Sequence, residues 1–164
     1  MATRKIVQEG DPALYKVCRR VERIDKRICT LIDDMFETMY EAEGVGLAAS
    51  QVGILRRVVV IDCGDGPVEM INPEILLTEG EQGCMEGCLS FPGKSGYVVR
   101  PAHVKARAQN RKGEWVEYDA EGMFARAIMH ETDHLDGKVY VDLVTEPPEG
   151  YSEEEDEEAE DQPE

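Results

Sequence analysis

Histidine and aromatic residues are scarce in this 164-residue chain, which has three histidines, one tryptophan and an aromatic fraction of 6%. No apolar run approaches the ~20 residues of a membrane-spanning helix. The opening MATRKIVQEGDP has charge but no apolar segment after it, so the protein is expected to stay in the compartment where it is made. Cysteine is sparse and odd in number: Cys18, Cys29, Cys63, Cys84 and Cys88 are too few for a disulfide scaffold and fit a reducing cytosol. No internal repeat is evident, and nothing forms a basic footprint for nucleic acid, so no nucleic-acid readout is expected.

Acidic charge is abundant and unevenly placed. The net charge is -17, yet residues 145–164 hold eleven acidic side chains and no basic one, which leaves 24 acidic against 18 basic, or -6, for residues 1–144. The expected organisation is one catalytic domain over 1–144 and an acidic, solvated tail over 145–164 that has too little apolar surface to order itself.

The stretch with the most chemistry is Met123 to Gly137, which carries His130-Glu131-Thr132-Asp133-His134. In a helix, residues four apart lie on one face, so His130 and His134 can hold one metal ion between them. Glu131 sits one residue round, where a carboxylate can reach water on that metal and act as general base. Met123, Ala127, His130 and His134 share helical spacing, so the ligand face also faces the core. Gly137 reads as the stop and Glu121 as an acid near the positive end. A site needs a third ligand. Metzincin peptidases take it from a histidine where this chain has Tyr140, which disfavours that family. The candidates left are His103, a carboxylate or a cysteine, and the pattern alone does not choose between Cys84 and Cys88.

Along the chain, Asp11-Pro12 starts a short helical turn over 12–18, and Asp25 caps an amphipathic helix over 26–42. Gly44 to Gln51 is a small-residue loop that a backbone or ligand can approach closely. Strands are expected at 57–62, 68–71, 75–78, 97–99, 103–108 and 115–118, with Pro67, Pro73 and Pro92 as breaks and a hairpin turn at 110–113. Many strands followed by one late helix argue for an α+β fold, with antiparallel sheets around the metal-binding helix.

Three segments, GVGLAASQ at 44–51, EGCLS at 86–90 and HETDH at 130–134, together resemble the peptide deformylases of bacteria and organelles, and the likeness extends from about Ile6 to Leu143. That resemblance implies removal of the formyl group from N-formyl-methionyl nascent peptides, in a bacterial cytoplasm, by a monomer. It makes Cys88 the third ligand beside His130 and His134. It also implies that the Gln51 side chain and the Leu89 backbone N–H donate to the substrate carbonyl oxygen. Val45, Gly46 and Gly87 are then expected to line an extended peptide, with Arg100 beside the methionine pocket. The implied metal is Fe2+ in the cell, with Zn2+, Ni2+ or Co2+ accommodated in purified protein. Glu86 and Asp133 are candidates to orient the ligands.

Met129 replaces the glutamine common in the family, and an acidic tail stands where many bacterial members have a basic helix that docks on the ribosome. Any transient ribosome contact is therefore expected to use another surface. The rival readings are an internal-bond endopeptidase, which would need a histidine or carboxylate as third ligand, and a silent homologue, which would have lost Glu131 or a ligand.

Overall fold

The computed structural model describes residues 2–151. Most of the expected acidic tail, residues 152–164, lies outside the described residues.

Asp25 accepts from the Ile28 N–H and starts helix α1 (Lys26–Glu41), whose buried stripe of Leu31, Ile32, Met35 and Met39 follows the three-and-four spacing. The helix stops where Glu43 takes a left-handed φ of 59° and the Gly44 N–H returns to the Met39 carbonyl. Strands β1 (Gly46–Ala48), β2 (Val58–Ile61), β3 (Val68–Glu79), β6 (His103–Gln109) and β7 (Trp115–Glu121) form one antiparallel sheet in the order β1-β2-β3-β6-β7. A second sheet has only β4 (Gln82–Gly87) and β5 (Ser95–Arg100). Helix α2 (Gly122–Leu135) follows β7 directly. The α+β class with antiparallel sheets is as the sequence led us to expect.

The unbroken apolar run of β2 has a simple cause. Val58 and Val60 pack with Leu47, Ile71 and α1, while Val59 and Ile61 pack with Ala48, Met70 and the Ala125–Ile128 side of α2. Both faces of the strand are covered, so neither carries a polar residue. Burying each such aliphatic side chain contributes about 1.5–3 kcal/mol. This central sheet is thus clamped between two helices, and the clamp fixes the depth at which α2 presents its histidines.

Three local expectations differ from the structure. The break expected at Pro73 is absent, because β3 runs through it. Asn72 adopts φ 53°, and the pairing with β6 shifts register between Ile71 and Glu74, so the residue without an N–H sits in a bulge. The Asn72 side chain bonds both the N–H and the carbonyl of Val21 at 2.8 Å, which holds the bulge in place. The second difference is β4, at residues where the sequence predicts no strand. The third is the turn at 12–18, which is a shorter 3-10 turn over Pro12–Tyr15. Gly137 (φ 75°) does end the turn after α2. A Cβ there would lie 2.8 Å from the Tyr15 backbone.

The packed body continues past residue 144. The Thr145 N–H donates to the Tyr97 carbonyl on the outer edge of β5, and Val144 lies over Gly96. The Tyr151 hydroxyl accepts from the Met85 N–H at 3.1 Å, its ring edge-on to Tyr97 with centroids 4.9 Å apart. Among the described residues no helix is long and apolar enough to cross a membrane.

Candidate metal centre

Helix α2 places His130 and His134 one turn apart, their rings edge-on with centroids 5.0 Å apart. Cys88 arrives from the other sheet, just past the end of β4, and its Sγ lies 3.3 Å from His134 Nε2. One donor atom from each of the three falls within 4.8 Å of the others, the one such His, Cys or carboxylate group among the described residues. His103, the remaining histidine, is at the far end of β6 with Asp119 and Glu79, and Cys84 is buried inside β4. The geometry therefore separates Cys88 from the alternatives left open by the motif alone. A soft thiolate with two imidazoles, leaving room for a further ligand, suits zinc, iron, cobalt or nickel.

Behind the histidines lies a buried charge network. Glu86 accepts from His130 Nδ1, from Arg100 (Nη2 at 2.7 Å, Nε at 3.2 Å) and from Arg126 Nη1 at 2.7 Å. Burial pushes the Glu86 carboxyl up, but the hydrogen bonds from His130 and Arg100 outweigh it and hold the group well below the usual carboxylate range. With Nδ1 held, His130 turns Nε2 toward the donor cluster. Arg100 does not line the cleft as expected for a substrate contact: its guanidinium faces inward onto Glu86 and Asp133, the latter at 2.6 Å. Asp133 thus reaches the histidines only through Arg100.

Arg126 was missed by the sequence reading, although its position one helical turn before His130 was a usable signal. It also donates to the Val98 and Gln82 carbonyls, tying α2 to both strands of the small sheet.

Glu131 is 3% exposed and its Oε1 has no partner among the described residues. Burial is the main cause that raises its carboxyl to about 7. The opposite wall is Gly46, where a Cβ would come within 2.5 Å of Glu131 Oε2. Gln51 is fixed from both ends: its Oε1 accepts from the Ala48 N–H at 2.9 Å, and its Nε2 donates to Ser90 Oγ at 3.1 Å and Cys88 Sγ at 3.4 Å. The Leu89 N–H has no acceptor among the described residues, so it is open to one from outside. A cleft of about 350 Å³ joins these groups, lined by Val45, Gly46, Gln51, Met85, Gly87, Leu89 and Glu131 among others. A larger hollow, about 1190 Å³, lies elsewhere between Arg4, Arg19 and Lys26 and shares no residue with the cleft.

A Cys-His-His donor set on an H-E-x-x-H helix, with a buried carboxylate beside it, defines a metal-dependent hydrolase. The polypeptide deformylase family model matches residues 3–149. Peptide deformylase 1 of Clostridium acetobutylicum is 62% identical over 146 residues, covering 89% of this chain and 97% of the relative. The peptide deformylase of Agathobacter rectalis is 60% identical over 144 residues, covering 88% and 91%. The crystal structure of the Thermotoga maritima peptide deformylase superposes with a TM-score of 0.87 at 43% identity, covering 89% of this chain and all of that one. The chain belongs to the polypeptide deformylase family. It is accordingly a metal-dependent hydrolase that removes the formyl group from the N-terminus of newly made peptides.

Proposed function

We propose that Cys88, His130 and His134 hold the metal and that Glu131 carries the proton of the deformylation. A divalent metal held by these donors would supply the acidity that makes a water nucleophilic near neutral pH. Glu131 receives the proton of the attacking water as its oxygen adds to the formyl carbon. The Gln51 Nε2, giving up its long contact with Cys88 Sγ, and the Leu89 N–H donate to the carbonyl oxygen as it becomes an oxyanion, a role in which one donor contributes about 10²–10³-fold in rate. Glu131 then returns the proton to the leaving amine, giving formate and a free N-terminal methionine. The extended peptide lies along Val45 and Gly87, and the close approach of Gly46 to Glu131 leaves no space for the extra methyl of an acetyl group. Arg100 acts from behind, by holding Glu86 and through it His130.

The donor set fits Fe2+ as the metal used in the cell, with Zn2+, Ni2+ or Co2+ occupying the same atoms in purified protein. The protein works as a monomer in the bacterial cytoplasm. It meets nascent chains with at most a transient ribosome contact, one that does not use a basic C-terminal helix.

The convergence of three donors within 4.8 Å, beside a buried carboxylate, carries this reading. The test is formate release from an N-formyl-Met peptide by anaerobically purified, iron(II)-loaded protein. Turnover should be confined to the formyl peptide, absent with the N-acetyl analogue, and lost by about 10²–10⁴-fold in Glu131→Ala with the metal retained. Normal turnover in Glu131→Ala would remove Glu131 from the mechanism. No formate from metal-filled wild type would overturn the reading as a whole.

A further inference from the structure

The hollow of about 1190 Å³ at the start of α1 carries a charge opposite to that of the chain. Seven cations line it against two carboxylates, Glu22 and Asp25, a net +5 within a body of residues 1–144 that totals -6. The fold gathers them from the N-terminal segment, the approach to α1, its first turn and the approach to β2. Spread over residues 4–56 among acids, they form no basic footprint in the sequence.

Arg4 is held by Asp34 at 3.0 Å, but Arg19, Arg20, Arg23, Lys26, Arg27 and Arg56 have no ion-pair partner among the described residues. The fold carries them at a cost. A parallel backbone bridge sets Arg19 beside Arg56, where two like charges repel. Lys26 and Arg27 stand in the first turn of α1 without an acid, at the helix end where the aligned peptide dipoles disfavour cations. Local costs left uncompensated within the chain mark a surface shaped for an anion from outside.

The shape and the residue type narrow that anion. Five of the six are arginines, whose flat guanidinium forks match phosphate oxygens. The hollow is concave, and its apolar lining is buried (Val21, Ile28, Leu31) or half-buried (Ile54), so it presents no apolar face to insert into a bilayer. It is larger than the ~300–1,000 Å³ of ordinary small-molecule sites, and five of the six unpaired cations are exposed rather than converging in a buried pocket. A convex ridge of phosphates suits it better.

We propose that this hollow is a docking surface for the phosphate backbone of a structured RNA, bound without base readout. Helix α1 is about 24 Å long, and Glu43 and Gly44 of the cleft lie just past its far end. The hollow and the cleft share no residue, so both can be filled at once.

The experiment follows the fluorescence anisotropy of a labelled RNA hairpin with the full chain between about 50 and 200 mM salt. It needs neither metal nor formyl peptide, so its outcome is independent of the deformylase reading. Binding should weaken with salt at a log–log slope of about -4, from six contacts at about 0.7 each. Arg23→Glu with Arg27→Glu should weaken it by at least about tenfold without lowering Tm. Lys105→Glu with Lys112→Glu, an equal change of charge on exposed residues outside the hollow, should weaken it less than about threefold. No binding at low salt, or equal losses in the two variants, overturns the proposal. So does tighter binding to vesicles of phosphatidylcholine and phosphatidylserine, which would assign the hollow to a membrane. Displacement of the RNA by polyglutamate of equal charge would assign it to an acidic protein, and overturns the proposal as well.

Discussion

Replacing Glu86 by alanine tests whether one buried carboxylate holds the site together. The change leaves Arg100 and Arg126, 4% and 5% exposed, facing each other without the anion between them. Removing one partner of a buried charge pair costs about 3–5 kcal/mol. Arg100 keeps Asp133 and Arg126 keeps two carbonyls, so the lower end, about 3 kcal/mol, applies. For a domain of this size that is a fall in Tm of about 6–12 °C. His130 also loses the acceptor that fixes its ring, which should weaken metal binding about 10–100-fold. The assay is a thermal melt with and without chelator, paired with a metal titration, on Glu86→Ala and on Glu86→Gln, which keeps the shape and should lose less. The network also has a pH signature. Because the folded carboxyl is held below its ordinary value of 4.5, its stabilisation is complete above that pH and is lost as pH falls through the lower folded value. Wild type should therefore lose its advantage over Glu86→Gln in acid. If Glu86→Ala melted within about 1 °C of wild type and bound metal normally, the account of the network would be wrong.

Cys88→Ala should lose or weaken the metal while Cys84→Ala retains it, as read by elemental analysis after dialysis; the reverse pattern would refute the donor assignment. Gly46→Ala should fold but lose about 100-fold in kcat, because the new methyl displaces the Glu131 carboxylate by an ångström or so. An unchanged kcat would show that Glu131 tolerates displacement. In the metal-free protein, burial pushes the His130 imidazole down, but Glu131, Cys88 and Glu86 outweigh it and raise the group to about 10. Ligation needs neutral imidazole and a thiolate, so metal uptake at about pH 7.5 should expel at least about one proton, and affinity should climb with pH. Identical calorimetric heats in buffers of different ionisation enthalpy would contradict this.

What could be read from residues alone was whatever depends on short spacing. The four-residue interval of His130 and His134, the stripe of α1 and the apolar run of β2 are local patterns, and each has its expected place in the structure. The third donor was different. His130 and Cys88 meet only because two sheets fold around α2, and periodicity does not report such pairing; it took the three-segment likeness to select Cys88. Strand β4 was hidden because Gly83, Glu86 and Gly87 have weak strand propensity, and it is held by pairing with β5. Pro73 misled in the same way: an Asn72 side chain bound to Val21 stabilises a bulge that no local rule anticipates. Arg100 was placed beside the substrate pocket by likeness, whereas its contacts turn it inward. Tyr151 was absorbed into a stretch classed by composition, since a single aromatic among acids gives no periodic signal.

The donors come from opposite ends of the folding problem. Cys88 follows β4, the histidines lie on the last helix, and β5, β6 and β7 separate them in the chain. During the protein's own synthesis the thiol emerges well before either imidazole and has no metal to shield it. Until α2 docks, it is a lone nucleophile in a half-made chain, exposed to oxidants and to stray soft cations. Capture of a metal ion at these donors would thus be the closing event of maturation, and peroxide stress before that event would leave the protein already spoiled at its sulfur.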